Sequence, residues 1–387
     1  MPEAVIVDAI RTPIGRAFKG QLAGLRPDDT GAFVIDQLLE RNPDVKPESV
    51  EEVVAGCGLP QGLQAFNIGR IMVLLSERLP DSVNGVTVSR YCASSLEAIR
   101  QAANAVRAGE GDTYIAAGVE WVSRYNERQE AAGVADQNEK LQGRNGQPDA
   151  YIAMGLTAEN VADKWEVSRA DMDKYAQRSQ ELAVASQESG FFDREIVPVP
   201  LPDGSVVAKD EGPRASSTLE KLAELKPAFK EDGKVTAGNS CPLNDGAAAV
   251  LVMSDTKAKE LGLQPRARII ASATSALEPE LMGVAPIGAI KKVLERAGMS
   301  IDDVDVVELN EAFAAQVIPI MSECNIPLEK MNPHGGAIAL GHPFGMTGAR
   351  IMTTLLNDLE SDDKTIGLET MCVAGGQGEA TIVERLN

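Results

Sequence analysis

Two different spacings of hydrophobic residues alternate along the first third of the chain. The runs at 5–8, 52–56 and 113–118 are short and apolar, which is typical of buried strands. Between them, residues 29–40 and 94–108 carry apolar side chains at helical intervals, with charged or polar side chains in the intervening positions. This alternation predicts an α/β fold.

The C-terminal third repeats the same plan. Its pattern predicts strands at 305–309, 364–370 and 379–385, and helices at 287–297, 313–323 and 347–359. A short internal echo supports a repeat, because the segments 48–55 and 302–308 are both acidic turns that lead into a Val-Val strand. We therefore expect a duplicated α/β unit.

Residues 119–245 differ from both ends because they are rich in polar residues and proline. Helical spacing recurs there at 157–164 and 169–186. We predict an inserted loop domain at 119–245, between an N-terminal half (1–118, with 246–268 completing it) and a C-terminal half (269–387).

Composition narrows the class of protein. Hydrophobic residues make up 44% and aromatic residues only 4%, which favours layers of small residues with closely packed backbones. The formal net charge of −20 argues against non-specific nucleic-acid binding, and an anionic ligand would need a local cationic site. The sequence contains no apolar run long enough for a bilayer span and no basic leader, so we expect a cytoplasmic protein without membrane contact.

Cysteine and histidine restrict where the chemistry can lie. The cysteines are Cys57, Cys92, Cys241, Cys324 and Cys372, and no Cys-x-x-Cys pair occurs among them. Zinc ribbons and thioredoxin-like chemistry are therefore unsupported, and we expect free thiols. The two histidines, 334 and 342, both lie in a glycine- and proline-rich segment, so any histidine-assisted proton transfer depends on one of them.

Cys92 has the most suggestive surroundings of these thiols. It follows a β-branched strand and begins the predicted helix at 94–108. A helix N-terminus favours a thiolate, and its backbone N–H groups can receive an oxyanion. The alternative, a helix-start thiol that simply packs in the core, is equally compatible with the pattern.

Two further segments carry candidate chemistry. Cys372 begins a loop dense in glycine, 375–378, between two predicted strands, which fits either a close approach to a ligand or a plain hairpin turn. Asn310 follows the predicted strand at 305–309, where its amide could hold a water or a substrate oxygen. The pattern alone favours the alternative, in which Asn310 is the N-cap of the following helix.

Taken together, these segments resemble the thiolase family. Cys-Ala-Ser-Ser at 92, Asn-Glu-Ala-Phe at 310, Gly-His-Pro-Phe-Gly at 341 and Cys-Val-Ala-Gly-Gly-Gln-Gly at 372 are similar to that family's catalytic loops, in the same order. The resemblance covers essentially the whole chain. It implies a duplicated thiolase fold, with two mixed sheets around shared central helices and an inserted loop domain.

The resemblance also implies a reaction: CoA-dependent cleavage of 3-ketoacyl-CoA to acetyl-CoA and a shortened acyl-CoA. Coenzyme A would be a co-substrate, with no metal and no permanently bound cofactor. The resemblance further implies a homodimer or homotetramer, with other β-oxidation enzymes of fatty acid breakdown as expected partners.

Roles carry over residue by residue. Cys92 would be the nucleophile that takes the acyl group, and His342 would activate it and help to hold the thioester oxygen. Asn310 would fix a water that completes that oxyanion site, and Cys372 would be the second acid and base. The backbone N–H groups of Cys92 and Ala374 would form the other oxyanion hole. Chemically, a thioester carbonyl suits a soft nucleophile, and an enolate needs a positioned acid.

Substrate contacts follow less directly from the resemblance. It implies contacts with the acyl-CoA at Met154, Phe229, Ala237, Ser240, Cys241, Met282, Ala312, Phe313 and His334. His334 stands where many thiolases have Asn, and we expect it to order its loop by hydrogen bonding. Ala153 stands where short-chain acetoacetyl-CoA enzymes have a histidine, which favours a degradative enzyme with a broader acyl pocket.

Other functions remain as alternatives. A biosynthetic acetoacetyl-CoA thiolase would share all of these motifs. A ketosynthase would share the fold and the nucleophile, but it would lack the cysteine at 372. A non-catalytic acyl-CoA or sterol carrier on this scaffold would be expected to have lost at least one of Cys92, Asn310, His342 and Cys372, and all of them are present.

Overall fold

The computed structural model describes residues 2–125, 137–144 and 146–387, so part of the predicted insertion, 126–136 and 145, lies outside the described residues. The strands are β1 (Ala4–Arg11), β2 (Gly15–Arg16), β3 (Glu52–Gly56), β4 (Asn84–Val88), β5 (Thr113–Trp121), β6 (Val199–Pro200), β7 (Val206–Val207), β8 (Asn244–Ser254), β9 (Ala267–Ala276), β10 (Val306–Leu309), β11 (Ile366–Val373) and β12 (Gln377–Arg385). The helices are α1 (Pro27–Arg41), α2 (Ile68–Leu75), α3 (Ser94–Ala108), α4 (Met154–Lys164), α5 (Arg169–Ser189), α6 (Leu219–Ala223), α7 (Asp255–Glu260), α8 (Pro286–Ala297), α9 (Ala314–Glu323), α10 (Ala337–Leu340) and α11 (Thr347–Ser361).

The predicted duplication is confirmed by the strand order. In the N-terminal half β3 is parallel to β4 and β5, β8 is antiparallel to β5, and β1 is antiparallel to β8. In the C-terminal half β10 is parallel to β11, β12 is antiparallel to β11, and β9 is antiparallel to β12. The echoing segments at 48–55 and 302–308 lead into the equivalent strands β3 and β10.

The two halves share one continuous sheet. Strand β1 pairs with β9 through Val5 opposite Arg268 and Ile6 opposite Ala267, which joins the mixed halves into a ten-stranded sheet. The two mixed sheets of the sequence prediction are therefore hydrogen-bonded to each other at this one junction.

Helices α3 and α11 form the shared central layer. Apolar side chains of both helices, such as Leu96 and Leu355, are fully buried in one cluster with side chains from both halves of the sheet, such as Val250 and Met371. Burial of each such side chain contributes about 1.5–3 kcal/mol. At Gly348 of α11 a Cβ would lie 2.3 Å from the backbone nitrogen of Leu96, so the crossing of the two helices requires glycine there.

Two outer layers complete the architecture. Helices α1 and α2 pack on the outer face of the N-terminal half, while α4, α5, α8 and α9 pack on that of the C-terminal half.

In the insertion, Glu195 and Asp210 form buried ion pairs with Arg11 at the end of β1, at 2.6 and 2.7 Å. Within the part of the chain that the structure describes, no helix combines the length and the apolarity needed to cross a bilayer.

Candidate active site

Cys92 lies in a tight turn between β4 and α3. The turn Tyr91–Ala93 is a short 3-10 helix, and Tyr91 has a positive φ of 43°, which is costly for a bulky side chain. The hydroxyl of Ser94 donates to the carbonyl of Tyr91 at 2.6 Å and accepts from the backbone nitrogen of Arg90 at 2.9 Å. These bonds hold the strained turn. Cys92 as a whole residue keeps some solvent exposure there, although neighbouring atoms surround its sulfur.

His342 lies on the equivalent loop of the other half, just before α11. Its Nδ1 is 2.7 Å from Thr347 Oγ1, and that hydroxyl donates its proton to the Pro343 carbonyl at 2.8 Å. Because the hydroxyl has only one proton, it must accept from Nδ1–H, and this leaves the lone pair on Nε2. Burial, with a further contribution from the charge of Arg350, lowers the His342 pKa to about 3, so the ring is neutral at ordinary pH.

A buried carboxylate joins the histidine loop to the loop that follows β3. Glu120 of β5 is fully buried and accepts from the backbone nitrogens of Gly58 at 2.7 Å and Gly345 at 2.8 Å, and from the side chain of Gln64 at 2.6 Å. Because Gly345 belongs to the histidine loop, this carboxylate fixes that loop against the N-terminal half. The sequence pattern gave no indication of this role, since Glu120 reads as an ordinary strand residue.

Asn310 faces the imidazole. Its Nδ2 is 3.3 Å from His342 Nε2, and its Oδ1 is buried without a hydrogen-bond partner among the described residues. Helix α9 begins at Ala314 with Phe313 as its N-cap residue, so the alternative interpretation of Asn310 as the N-cap is wrong. A buried amide oxygen without a partner beside a histidine is suited to a bound water or substrate oxygen.

Cys372 lies within β11, opposite Gly378 of β12, and not in the loop that follows. Its side chain is fully buried, and burial raises the pKa of its thiol to about 11. Residues 374–376 connect β11 to β12, so the hairpin turn expected from the glycines is present. The Cys372 thiol lies on the strand just before that turn. Ala374 is not among the described residues with a positive φ, so alanine is unstrained there.

The thiols of Cys92, Cys241 and Cys372 lie close enough to influence one another's pKa. Burial raises the pKa of Cys92 well above its ordinary value, and the charges of Cys372 and Cys241 raise it further. The turn that carries Cys92 packs against β11 and against the Phe344–Met346 turn beside His342. The expectation that the helix start favours a thiolate is corrected here, because desolvation outweighs a dipole effect of about 0.3–1 kcal/mol.

A cleft of about 260 Å³ lies within the predicted insertion. Its lining includes Arg214, Ser216, Ser217, Lys221, Leu222, Ala237, Gly238 and Pro242. Ala237 was predicted from the sequence as a contact, whereas Arg214 and Lys221 supply the local positive charge that an anionic ligand needs on a chain with a net charge of −20.

The other predicted contacts lie at different depths. Phe229 is 44% exposed, and its ring meets that of Phe313 edge to face at 6.1 Å. Ser240 donates its hydroxyl to the Thr236 carbonyl at 2.6 Å, and the backbone nitrogen of Cys241 donates to Ala312 at 2.9 Å. Met154 is partly buried and begins α4, while Met282 is buried at 2% exposure.

His334 has its contacts elsewhere. Its ring stacks on Phe191 at 3.5 Å, its Nδ1 is 2.8 Å from Ser186 Oγ, and its Nε2 is 3.4 Å from Asp358. Burial lowers the His334 pKa to about 4. These contacts join the segment that carries His334 to α5 and α11. The histidine that faces Asn310 is His342.

Comparisons with known proteins agree with this geometry. The model of the thiolase N-terminal domain matches residues 4–256, and that of the thiolase C-terminal domain matches residues 263–385. The β-ketoadipyl-CoA thiolase of Acinetobacter baylyi is 46% identical over 407 residues and covers 100% of both chains.

Solved structures agree as well. The acetyl-CoA acetyltransferase of Bacillus anthracis has a TM-score of 0.92 at 39% identity, and the match covers 100% of this chain and 99% of that one. The dimeric peroxisomal thiolase of Saccharomyces cerevisiae has a TM-score of 0.93 at 38% identity, covering 100% and 98%. Because both domain models match and the Acinetobacter baylyi relative is 46% identical along its full length, the chain belongs to the thiolase family.

Proposed function

We propose that this thiolase cleaves 3-ketoacyl-CoA with coenzyme A, giving acetyl-CoA and a shortened acyl-CoA through an acyl-Cys92 intermediate. The observation that carries the proposal is the convergence of Cys92, His342, Asn310 and Cys372 from both halves of the fold. A sulfur nucleophile, a neutral imidazole and a second buried thiol are the groups that a reversible Claisen reaction needs.

In the first half-reaction the Cys92 thiol passes its proton to Nε2 of His342, and its sulfur attacks the 3-keto carbon. The bond between carbons 2 and 3 then breaks, which leaves the acyl group on Cys92 and an enolate of acetyl-CoA. The thiol of Cys372 gives its proton to carbon 2 of this enolate. His342, with a water held by Asn310, stabilises the enolate oxygen.

In the second half-reaction the Cys372 thiolate takes the proton of incoming CoA. The CoA sulfur attacks the acyl carbon, the backbone N–H groups of Cys92 and Ala374 stabilise the tetrahedral oxyanion, and the Cys92 sulfur leaves. Protonation of that sulfur by the His342 imidazolium restores the resting enzyme. The raised thiol pKa values support a resting state of neutral thiols and a neutral imidazole.

The cleft within the insertion is proposed to hold coenzyme A. Arg214 and Lys221 would pair with its phosphates, and the hydroxyls of Ser216 and Ser217 would donate to phosphate oxygens. The pantetheine arm would pass Ala237 and Ser240 toward Cys92. Phe229, Phe313, Met154 and Met282 would contact the methylene groups of the acyl chain.

For the acyl group we propose 3-oxoadipyl-CoA as the first substrate to test. The support is the name of the Acinetobacter baylyi relative, which shares 46% of its residues with this chain along its full length. This favours breakdown of a dicarboxylic intermediate over the β-oxidation of fatty acids expected from the motifs. The alternative of a biosynthetic acetoacetyl-CoA thiolase has support from the Bacillus anthracis acetyltransferase, whereas Ala153 opposes it.

We also propose a homodimer. Strand β4 lies at one end of the sheet, where its outer hydrogen-bonding edge has no neighbouring strand among the described residues. Exposed apolar side chains occur on the preceding helix and loop, at Phe66, Leu74 and Leu75. An unpaired edge flanked by exposed apolar side chains favours pairing with a second copy, and the Saccharomyces cerevisiae thiolase is described as dimeric.

A thiolysis panel tests the proposal. Wild-type protein is incubated with CoA and 3-oxoadipyl-CoA, acetoacetyl-CoA or longer linear 3-ketoacyl-CoA, and acetyl-CoA release is followed. We expect cleavage with 3-oxoadipyl-CoA preferred, no turnover or acyl-enzyme with Cys92→Ala, and slow Cys92 acylation without turnover with Cys372→Ala. Cys324→Ala, a buried thiol outside the site, is the matched control. Efficient condensation of acetyl-CoA without thiolysis of longer substrates would instead establish the biosynthetic alternative.

A further inference from the structure

Gln316 is a fully buried polar side chain that the proposed mechanism does not use. It lies in the first turn of α9. Its Nε2 is 3.1 Å from the sulfur of Cys372 and 3.3 Å from the carbonyl oxygen of Asn310. The amide therefore bridges the asparagine loop and the second thiol.

The orientation of this amide is determined by its partners. The Asn310 carbonyl can only accept, so the nitrogen of the Gln316 amide must face it. The second proton of Nε2 then points at Cys372, and Oε1 lies 3.5 Å from the same sulfur. The amide can donate to a thiolate and accept from a thiol, so it matches both protonation states of Cys372.

The surroundings of Cys372 make this contact important. Within the described residues its sulfur has hydrogen bonds with the Gln316 amide, and the thiols of Cys92 and Cys241 lie close enough to interact with it electrostatically. The Gln316 amide is the side-chain donor that directly contacts a thiolate formed at Cys372.

We propose that Gln316 is the positioning residue that holds the Cys372 sulfur and donates to its thiolate, and that it thereby sets the rate of both proton transfers made by Cys372. This inference rests on the proposed function, since it assigns Cys372 the role of acid and base. Gln316 acts through Cys372 and has no role in the activation of Cys92 by His342.

Two substitutions remove the donor in different ways. Gln316→Met keeps the length of the side chain without polar atoms, while Gln316→Glu keeps its shape and places a carboxylate oxygen next to the sulfur. Gln177→Met, at a partly buried position of α5 where the amide donates to Glu181, is the matched control. Thermal unfolding of each variant checks that it folds, and Gln316→Glu decides the question if the Met variant does not.

Two measurements distinguish an effect on Cys372 from an effect on Cys92. Exchange of deuterium from D2O into the methyl group of acetyl-CoA reports proton transfer by Cys372, and alkylation of Cys92 by iodoacetamide, located by peptide mass spectrometry, reports its activation by His342. Loss of a hydrogen bond to a charged group should slow the exchange by about 10- to 100-fold. Alkylation of Cys92 should keep its wild-type rate.

The pH dependence provides a third test. Without the donor the thiolate of Cys372 is less stable, so the pH at which the thiolysis rate rises should move upward by about one unit or more. Equal losses in exchange and alkylation, or an unshifted pH profile, would overturn the inference and leave a purely structural role for Gln316. An inactive wild-type protein would overturn the proposed function as well, whereas an active wild type with unaltered Gln316 variants would overturn this inference alone.

Discussion

Thr347 determines which nitrogen of His342 carries the proton, and Thr347→Val removes that control without changing the branched shape of the side chain. The hydroxyl is 2.7 Å from Nδ1 and 2.8 Å from the Pro343 carbonyl, and Thr347 is fully buried. In the variant, Nδ1–H either stays without an acceptor or the proton moves to Nε2. An imidazole protonated at Nε2 cannot accept the proton of Cys92.

The size of the effect follows from these two bonds. Leaving one buried donor unpaired costs about 1–3 kcal/mol, which is the amount by which the reactive tautomer loses its advantage. Because about 1.4 kcal/mol corresponds to a factor of ten in rate, activation of Cys92 should slow by about 5- to 150-fold. The Pro343 carbonyl keeps the backbone N–H of Met346 as a donor at 3.0 Å, so we expect the free energy of unfolding to fall by about 1–3 kcal/mol, the cost of the one unpaired donor.

The assay compares the rate of Cys92 alkylation and of single-turnover acylation between wild type, Thr347→Val and Thr347→Ser. Serine keeps the hydroxyl and loses one buried methyl group, which should reduce stability by about 1 kcal/mol and leave the rate near that of wild type. A wild-type rate in the Val variant, or an equally slow Ser variant, would refute the assignment of the Nδ1–H tautomer.

Two further predictions concern groups around the site. His334→Asn should leave thiolysis nearly unchanged and lower the melting temperature modestly, because His334 stacks on Phe191 away from the thiols; a loss of turnover equal to that of His342→Asn would show that the base is misassigned. Burial raises the pKa of Glu308 to about 8, and its neighbour Asp358 is raised as well. The folded state keeps a proton on Glu308 that the unfolded state releases above about pH 4.5. The contribution of Glu308 to the free energy of unfolding should therefore be largest below about pH 4.5 and be lost as the pH rises through 8. Glu308→Gln should flatten this fall, as measured by denaturant unfolding from pH 5 to 9, and an unchanged slope would contradict the shift.

Much of the fold was predictable because each helix and strand buries one face, and the period of that face is written locally. The predicted helix at 94–108 has the same bounds in the structure. The predicted strand at 113–118 begins at the same residue and extends a little further, to Trp121. The duplication was predictable because each of two short acidic turns leads into a Val-Val strand, and this pattern is also local. The motifs that we propose as catalytic were also local, since Cys92, His342 and Cys372 each lie in a distinctive run rich in small residues.

The contacts between these segments had no local signal. Glu120 clamps the histidine loop across 225 positions of the chain, and Gln316 reaches Cys372 across 56. In the sequence both are polar residues of an ordinary strand and an ordinary helix, and Thr347 is likewise an unremarked residue of a helix start. Their roles arise only where another segment supplies the partner.

The protonation of Cys92 shows the same division most clearly. The sequence determined that this thiol stands at a helix start, and from that alone a thiolate was expected. The folded chain opposes a thiolate, because β11, the loop that carries Cys241 and Glu120 of β5 pack around the sulfur and disfavour a negative charge on it. Helix position is a property of neighbours in the chain, whereas desolvation depends on every atom that packs around the group, and only the folded chain brings those atoms together.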